Sequence, residues 1–340
     1  MKQAVMVAPG KIEFRQVEKP AIQDNEVLLQ PKRIGVCGSD IHVFHGAHPF
    51  TRYPVVQGHE VAGIVAEVGR AVEGIAVGDI ATFTPQVVCG NCYPCRHGMY
   101  NVCENLKVMG FQTGGAAQEC FALPAWNIFR LPDNVSLDHA AMIEPVSVAV
   151  HALRRGGDVT GKRVLVLGAG TIGNLVAQVA RASGAAAVMI TDVSGYKLNK
   201  ARNCGVDFAI NTTREDLNVA LLHDFGPDRA DLILECVGIQ ATATQAVECA
   251  RKGTTVVVVG VFGEKPVVNL GYVQDRELNL IGTAMYQKTD YEGAIELVTG
   301  GKMHLDELLT HRFAFEDYLQ AYHTIEQSKG EYMKVMIELD

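Results

Sequence analysis

The chain of 340 residues is about twice the size of an ordinary domain, so two separate cores are expected. Hydrophobic residues at 48% and charged residues at 20% exclude a disordered or fibrous chain. The balance of 30 basic against 38 acidic residues, a net −8 with no long Lys/Arg run, excludes a nucleic-acid binder.

Residues 1–7 carry no secretory pattern and no apolar run reaches bilayer length, so a cytoplasmic protein with no membrane partner is expected. Its nine cysteines then read as metal ligands and buried thiols rather than disulfides.

The first half carries short bursts of Val and Gly, such as 26–30 and 61–65, bounded by Gly, Pro or charge. That rhythm predicts an irregular β domain with many turns. Three of its segments hold metal-ligating side chains: Gly35-Val-Cys37-Gly-Ser39-Asp40-Ile-His42, Gly58-His59-Glu60, and Ile143-Glu144-Pro145. Singly, a Cys is usually a small buried hydrophobe and a His a hydrogen-bonded core residue. Together they offer the roughly three ligands that an open, catalytic zinc requires. Between them Cys89, Cys92, Cys95 and Cys103 give C-x2-C-x2-C-x7-C, a closed set for one tetrahedral structural zinc. An iron-sulfur cluster fits less well, because Glu104 and not Pro follows the last Cys.

From about residue 161 the pattern changes. Apolar runs at 163–167, 187–191, 231–235 and 255–259 alternate with Ala-rich helical stretches, which predicts a parallel, doubly wound sheet. The first run enters Gly168-Ala-Gly170-Thr171-Ile172-Gly173 and then a helix over 174–183. This is the strand-turn-helix context in which the glycines permit a tight turn, approach of a pyrophosphate and close helix packing. Asp192 lies about 20 residues on, placed to accept ribose hydroxyls and to repel the extra phosphate of NADP, so NAD is expected. The Lys197 ammonium can reach the same neighbourhood, although a solvated helix residue is the plainer reading. Residues 290–340 hold two amphipathic helices and a last strand, 332–339, expected to return to the first domain. The expected division is 1–152, 153–289 and 290–340, without internal repeats.

With Val77-Gly78-Asp79 and Thr310-His311-Arg312-Phe313, these motifs resemble, over essentially the full length, the zinc-containing medium-chain dehydrogenases. Glu144 stands where simple alcohol dehydrogenases have a zinc-binding Cys, so the chain looks most like the sorbitol dehydrogenase, polyol and sugar-acid branch. The threonine dehydrogenase branch, the nearest rival, usually shows Asp-Pro there and Thr in place of Ser39.

The resemblance implies a GroES-like catalytic domain with both zinc sites, a Rossmann domain, and NAD-linked oxidation of a secondary alcohol in a cleft between them. It implies that Cys37 and His59 bind the catalytic zinc, with Glu60 and Glu144 sharing the remaining protein positions in an order left open. Zinc would act as a Lewis acid on the substrate hydroxyl, Ser39 would take the proton, and His42 would pass it toward solvent.

Phe44, His45, His48, Phe50, Phe111, Met285 and Tyr286 are expected near substrate by their place relative to the motifs. Met285 replaces an Arg typical of sorbitol dehydrogenases, which favours another substrate such as a hexonate, with His45 or His48 at its carboxylate. A homodimer or homotetramer is implied, extended at the sheet edge near 255–261 and 266–270. A non-catalytic NAD and zinc sensor is the alternative of another class, disfavoured because ligands, relay and fingerprint are all intact.

Overall fold

Residues 1–340 are described by a computed structural model. Short runs of buried residues separated by turns organise the first 130 residues into antiparallel strands. A hairpin, β1 (Lys2–Ala8) and β2 (Lys11–Gln16), precedes the long β3 (Glu26–Val36), the helix α1 (Gly38–Phe44), β4 (Glu60–Val68) and β5 (Ile80–Phe83). The short pair β6 (Gln86–Val87) and β7 (Lys107–Val108) brackets a one-turn helix α2 (Tyr93–Arg96). Then come β8 (Phe121–Pro124), β9 (Ile128–Arg130) and the long helix α3 (Leu137–Gly156).

The parallel region follows: β10 (Arg163–Leu167), α4 (Thr171–Ala182), β11 (Ala187–Asp192), α5 (Gly195–Asn203), β12 (Phe208–Asn211), α6 (Leu217–Asp224) and β13 (Leu232–Glu235). It continues with α7 (Gln240–Glu248), β14 (Thr255–Val258), α8 (Leu270–Asp275), β15 (Asn279–Gly282) and α9 (Lys288–Thr299). The chain closes with β16 (Leu309–Ala314), α10 (Tyr318–Gln327) and β17 (Lys334–Glu338).

Two units result, Met1–Glu144 with Leu309–Asp340, and Pro145–Leu308. In the first, a seven-stranded sheet runs β16-β17-β3-β4-β5-β9, with β8 also on β3. β17 is antiparallel to β3, pairing Val335 with Val36. The core holds Val27, Leu29, Ile34, Val61, Val65 and Phe83 from the sheet and Tyr318 and Tyr322 from α10.

In the second unit six strands in the order β12-β11-β10-β13-β14-β15 are all parallel. The central β10 is apolar on both faces, as a sheet covered on both sides demands, and Val164 to Leu167 are fully buried. β12 and β15 lack a long apolar run in the sequence because they are edge strands with little buried surface.

The units divide at 144/145 and 308/309, not at the expected 152/153 and 289/290. Residues 290–308 pack with the second unit: Asp290 accepts a hydrogen bond from His151 at 2.8 Å, and the Tyr291 ring lies 5.6 Å from that of Tyr286. Proline 145 lies inside α3, so the first division falls within a continuous helix.

Asp138, in the first turn of α3, ties this helix to two strands. Arg33 Nε on β3 donates to its Oδ1 at 2.7 Å, and Arg312 Nη2 on β16 donates to its Oδ2 at 2.7 Å. Burial would raise the carboxyl, but the two guanidiniums outweigh it and hold it below the ordinary range. A depressed carboxyl stabilises the fold above its unfolded pKa of ~3.9 and loses that contribution as pH falls through the lower folded value. Asp138→Asn should therefore cost about 1–2 kcal/mol at pH 7, a difference that shrinks as pH falls below ~4. Urea unfolding of both proteins across pH measures it.

Candidate metal and dinucleotide sites

The first cluster follows from strand register. β3 ends at Val36, and Cys37 caps α1 in an extended conformation, its N–H donating to Asp40 Oδ2 at 2.9 Å. Gly35 is paired with Glu60 on β4, so Cys37 comes alongside His59 and Glu60. Their donor atoms lie within 4.8 Å of one another. Glu144, from α3, is buried but stands outside that group of three.

Ser39 is half-buried and His42 exposed, three residues apart along α1, and therefore on one helix face. Phe111 stands between two imidazoles, 4.8 Å from His59 and stacked on His48 at 4.9 Å.

His59 Nδ1 is buried with no hydrogen bond, 3.6 Å from Asp40 Oδ1. Burial would push this imidazole down, yet Asp40 and Cys37 outweigh it and raise it to about 10. A thiol, an imidazole with an orphaned nitrogen and a carboxylate, in surroundings that attract a cation, form an S/N/O set that fits zinc.

A second layer of side chains, invisible in the motifs, holds these donors. Asp40 Oδ1 accepts from Gln57 Nε2 at 2.9 Å, and Gln57 Oε1 accepts the Tyr322 hydroxyl at 2.8 Å. Lys334 Nζ donates to both oxygens of Glu60, at 2.7 and 2.5 Å, and to Val36 O at 3.1 Å. Lysine and glutamate are 3% and 1% exposed, so this is a fully desolvated ion pair. Burial would lower the ammonium; Glu60 and Cys37 overcome it and raise it. The pair needs Gly35, because a Cβ there would lie 2.2 Å from Glu60 Oε2.

The four thiols gather around α2. Cys89 and Cys103 sulfurs are 3.5 Å apart, those of Cys92 and Cys103 3.8 Å, and all four, with Cys95, lie within 4.8 Å of one another. Backbone N–H groups of Cys89 and Asn105 point at the Cys103 sulfur at 3.4 and 3.3 Å. Amides of Asn91 and Cys92 lower the Cys89 thiol to about 6. Four inward sulfurs with no other donor suit a closed tetrahedral zinc.

The dinucleotide motif adopts the expected turn. Gly168 has φ 101°, in the left-handed region, and a Cβ on Gly173 would meet Gly168 O at 1.8 Å, so strand and helix touch by backbone. Gly170, the cap of α4, faces open space, and Thr171 and Ile172 form the first helical turn. Asp192 ends β11; its Oδ2 accepts from Ala169 N and its Oδ1 from Ser194 N, each at 2.8 Å. Each oxygen keeps a second acceptor direction. Lys197 is half-buried near the start of α5, its own N–H 3.4 Å from Ser194 Oγ.

The other expected residues differ in burial. Phe44 is core, 4% exposed with its ring 4.9 Å from Tyr322. Phe50 is 73% exposed, and His45 pairs with Glu326 at 2.7 Å. Tyr286 is fully buried beside the half-buried Met285, which has φ 50°.

Comparison with known proteins agrees with this geometry. Residues 23–133 match the alcohol dehydrogenase GroES-like domain, and 171–300 match the zinc-binding dehydrogenase domain. L-idonate 5-dehydrogenase of Vitis vinifera is 34% identical over 94% of this chain and 90% of its own. Sorbitol dehydrogenase of Macaca fascicularis is 32% identical (99% and 95% covered), as is L-threonine 3-dehydrogenase of Pyrococcus furiosus (93% and 92%). An Escherichia coli alcohol dehydrogenase solved with NADH superposes with a TM-score of 0.93 at 30% identity, covering 100% of this chain and 99% of that one. The chain belongs to the zinc-binding, GroES-like alcohol dehydrogenase family.

Two outcomes follow. Lys334→Met strands a buried carboxylate and should cost about 3–5 kcal/mol, most of it recovered when Glu60→Gln is added, as read by a double-mutant cycle of unfolding. Cys103→Ala should lower the melting temperature and reduce bound zinc by one equivalent in elemental analysis.

Proposed function

We propose that this chain oxidises a secondary hydroxyl of a polyol or sugar acid to the ketone with NAD. The observation that carries the reading is the cluster of Cys37, His59 and Glu60, accompanied in the same chain by a glycine fingerprint that leads to Asp192. When bound, zinc supplies Lewis acidity toward the substrate hydroxyl and NAD supplies the hydride acceptor.

Cys37 and His59 hold the catalytic ion, with Glu60 and Glu144 as the carboxylates available to it. Glu60 is shared with Lys334, which fixes the orientation of its carboxylate. Ser39 takes the hydroxyl proton and His42, exposed on the same face of α1, delivers it to solvent. Gly168, Gly170, Thr171, Ile172 and Gly173 receive the pyrophosphate, and Asp192 accepts the adenosine ribose hydroxyls. Cys89, Cys92, Cys95 and Cys103 hold the second, structural ion.

Burial, then His42 and His59, push the His48 imidazole below its ordinary range, so it is neutral at pH 7. Neutral His48 suits a substrate hydroxyl better than a carboxylate. Similarity to a sugar-acid and a polyol dehydrogenase supports the substrate class, and Ser39 and Glu144 favour it over threonine.

Nine thiols, none in a disulfide, support a reducing, cytoplasmic setting, and no helix is long and apolar enough to cross a membrane. The edge strand β15 and the exposed Val267 and Leu270 support a homodimer or homotetramer.

The test is NADH formation across a panel of hexitols, pentitols, hexonates, threonine and simple alcohols. Turnover is expected on polyols or hexonates, and Cys37→Ser should reduce it by roughly 10²-fold or more with unchanged circular dichroism. Turnover confined to threonine or simple alcohols, or none by the zinc-loaded protein, overturns the reading.

A further inference from the structure

One buried carboxylate takes no part in the metal clusters. Glu235 ends β13 and is 1% exposed. Its Oε1 accepts three donors: the N–H groups of Val237 and Gly238, each at 2.9 Å, and the Thr242 hydroxyl at 2.6 Å. None of these partners is a cation. Its Oε2 is buried without a hydrogen-bond partner, in space that a Cβ on Gly260 would enter to 2.7 Å.

Glu235 also joins two loops. Its backbone carbonyl accepts the N–H groups of Val259 and Gly260, at 2.8 and 2.9 Å. Gly238 and Gly260 stand back to back: a Cβ on Gly260 would lie 2.2 Å from Gly238 N, and one on Gly238 2.5 Å from Val261 O. The loops after β13 and β14 therefore touch by backbone, with the carboxylate beneath them.

Strand order reverses between β10 and β13, and a dinucleotide lies across such a reversal at the carboxyl ends of the strands. With the adenosine half directed to Asp192 on β11, the nicotinamide half falls on the side of β13 to β15. The oxidised ring carries a positive charge and the reduced ring none. A negative charge that lacks a cationic partner, shielded from water, discriminates between them, whereas a purely structural scaffold serves both alike.

We propose that Glu235 biases the bound coenzyme toward its oxidised form by stabilising the nicotinamide cation over the neutral ring. This rests on the dinucleotide reading of this sheet edge. It makes Glu235 a tuning residue that acts through its field, apart from the proton relay.

Calorimetric titration of the zinc-loaded protein with NAD+, NADH and ADP-ribose tests it. Glu235→Gln should weaken NAD+ about tenfold, or ~1.4 kcal/mol, while NADH and ADP-ribose change less than about twofold. Thr242→Val removes one donor from Oε1 but keeps the charge, so the preference for NAD+ over NADH should widen. Equal weakening of NAD+ and NADH by Glu235→Gln, with ADP-ribose still bound, overturns the proposal. Should that variant lose ADP-ribose binding as well, Thr242→Val decides, and parallel shifts of both coenzyme forms overturn it. An unaltered protein that binds neither form refutes the dinucleotide reading, and this proposal with it.

Discussion

The register of β3 between β4 and β17 is the constraint on which the metal cluster rests. Gly35 faces Glu60 on one side and Met336 on the other, so Cys37, Glu60 and Lys334 meet only in this alignment. Side chains alternate along a strand, and a slip of one residue would send Glu60 to the opposite face. The apolar residues of β3 and β17 secure the alignment: Ile34, Val36, Val335 and Ile337 belong to one core, so a slip would also take them out of it.

Within that frame the electrostatics are concentrated. A thiol and the carboxylates of Asp40, Glu60 and Glu144 occupy buried or half-buried positions beside one ammonium and one imidazole. Such a collection is costly without further positive charge, because desolvated anions repel one another in a poorly screening medium. The hydrogen bonds from Gln57, the Cys37 amide and Lys334 lessen the cost and orient the acceptors. A divalent cation completes the balance, which agrees with membership of a zinc-binding family.

Legibility in the sequence followed distance along the chain. The four thiols and the three glycines were readable because each set lies in one short segment whose spacing alone fixes the geometry. The open cluster was readable only as three fragments and through resemblance, and of its four proposed members the structure gathers three. Lys334 was missed because 274 residues separate it from Glu60, and no local pattern spans that gap. One signal was present: a single charge inside the apolar run 332–337 of a strand candidate. Phe44 illustrates the opposite case. Its closeness to the motif suggested substrate, but α1 turns its ring inward to Tyr322.

The division of the chain has a further consequence for how the protein is made. The unit Pro145–Leu308 is one uninterrupted stretch, whereas the other joins Met1–Glu144 to Leu309–Asp340. On the ribosome the later stretch can therefore finish folding before the earlier one, which waits for β16 and β17 to emerge. Until then residues 33–36 of β3 lack a neighbour on one edge and Glu60 its ammonium. Nascent chains would thus carry a completed nucleotide-binding unit while the other sheet still lacks two strands, and the metal cluster would be among the last features assembled.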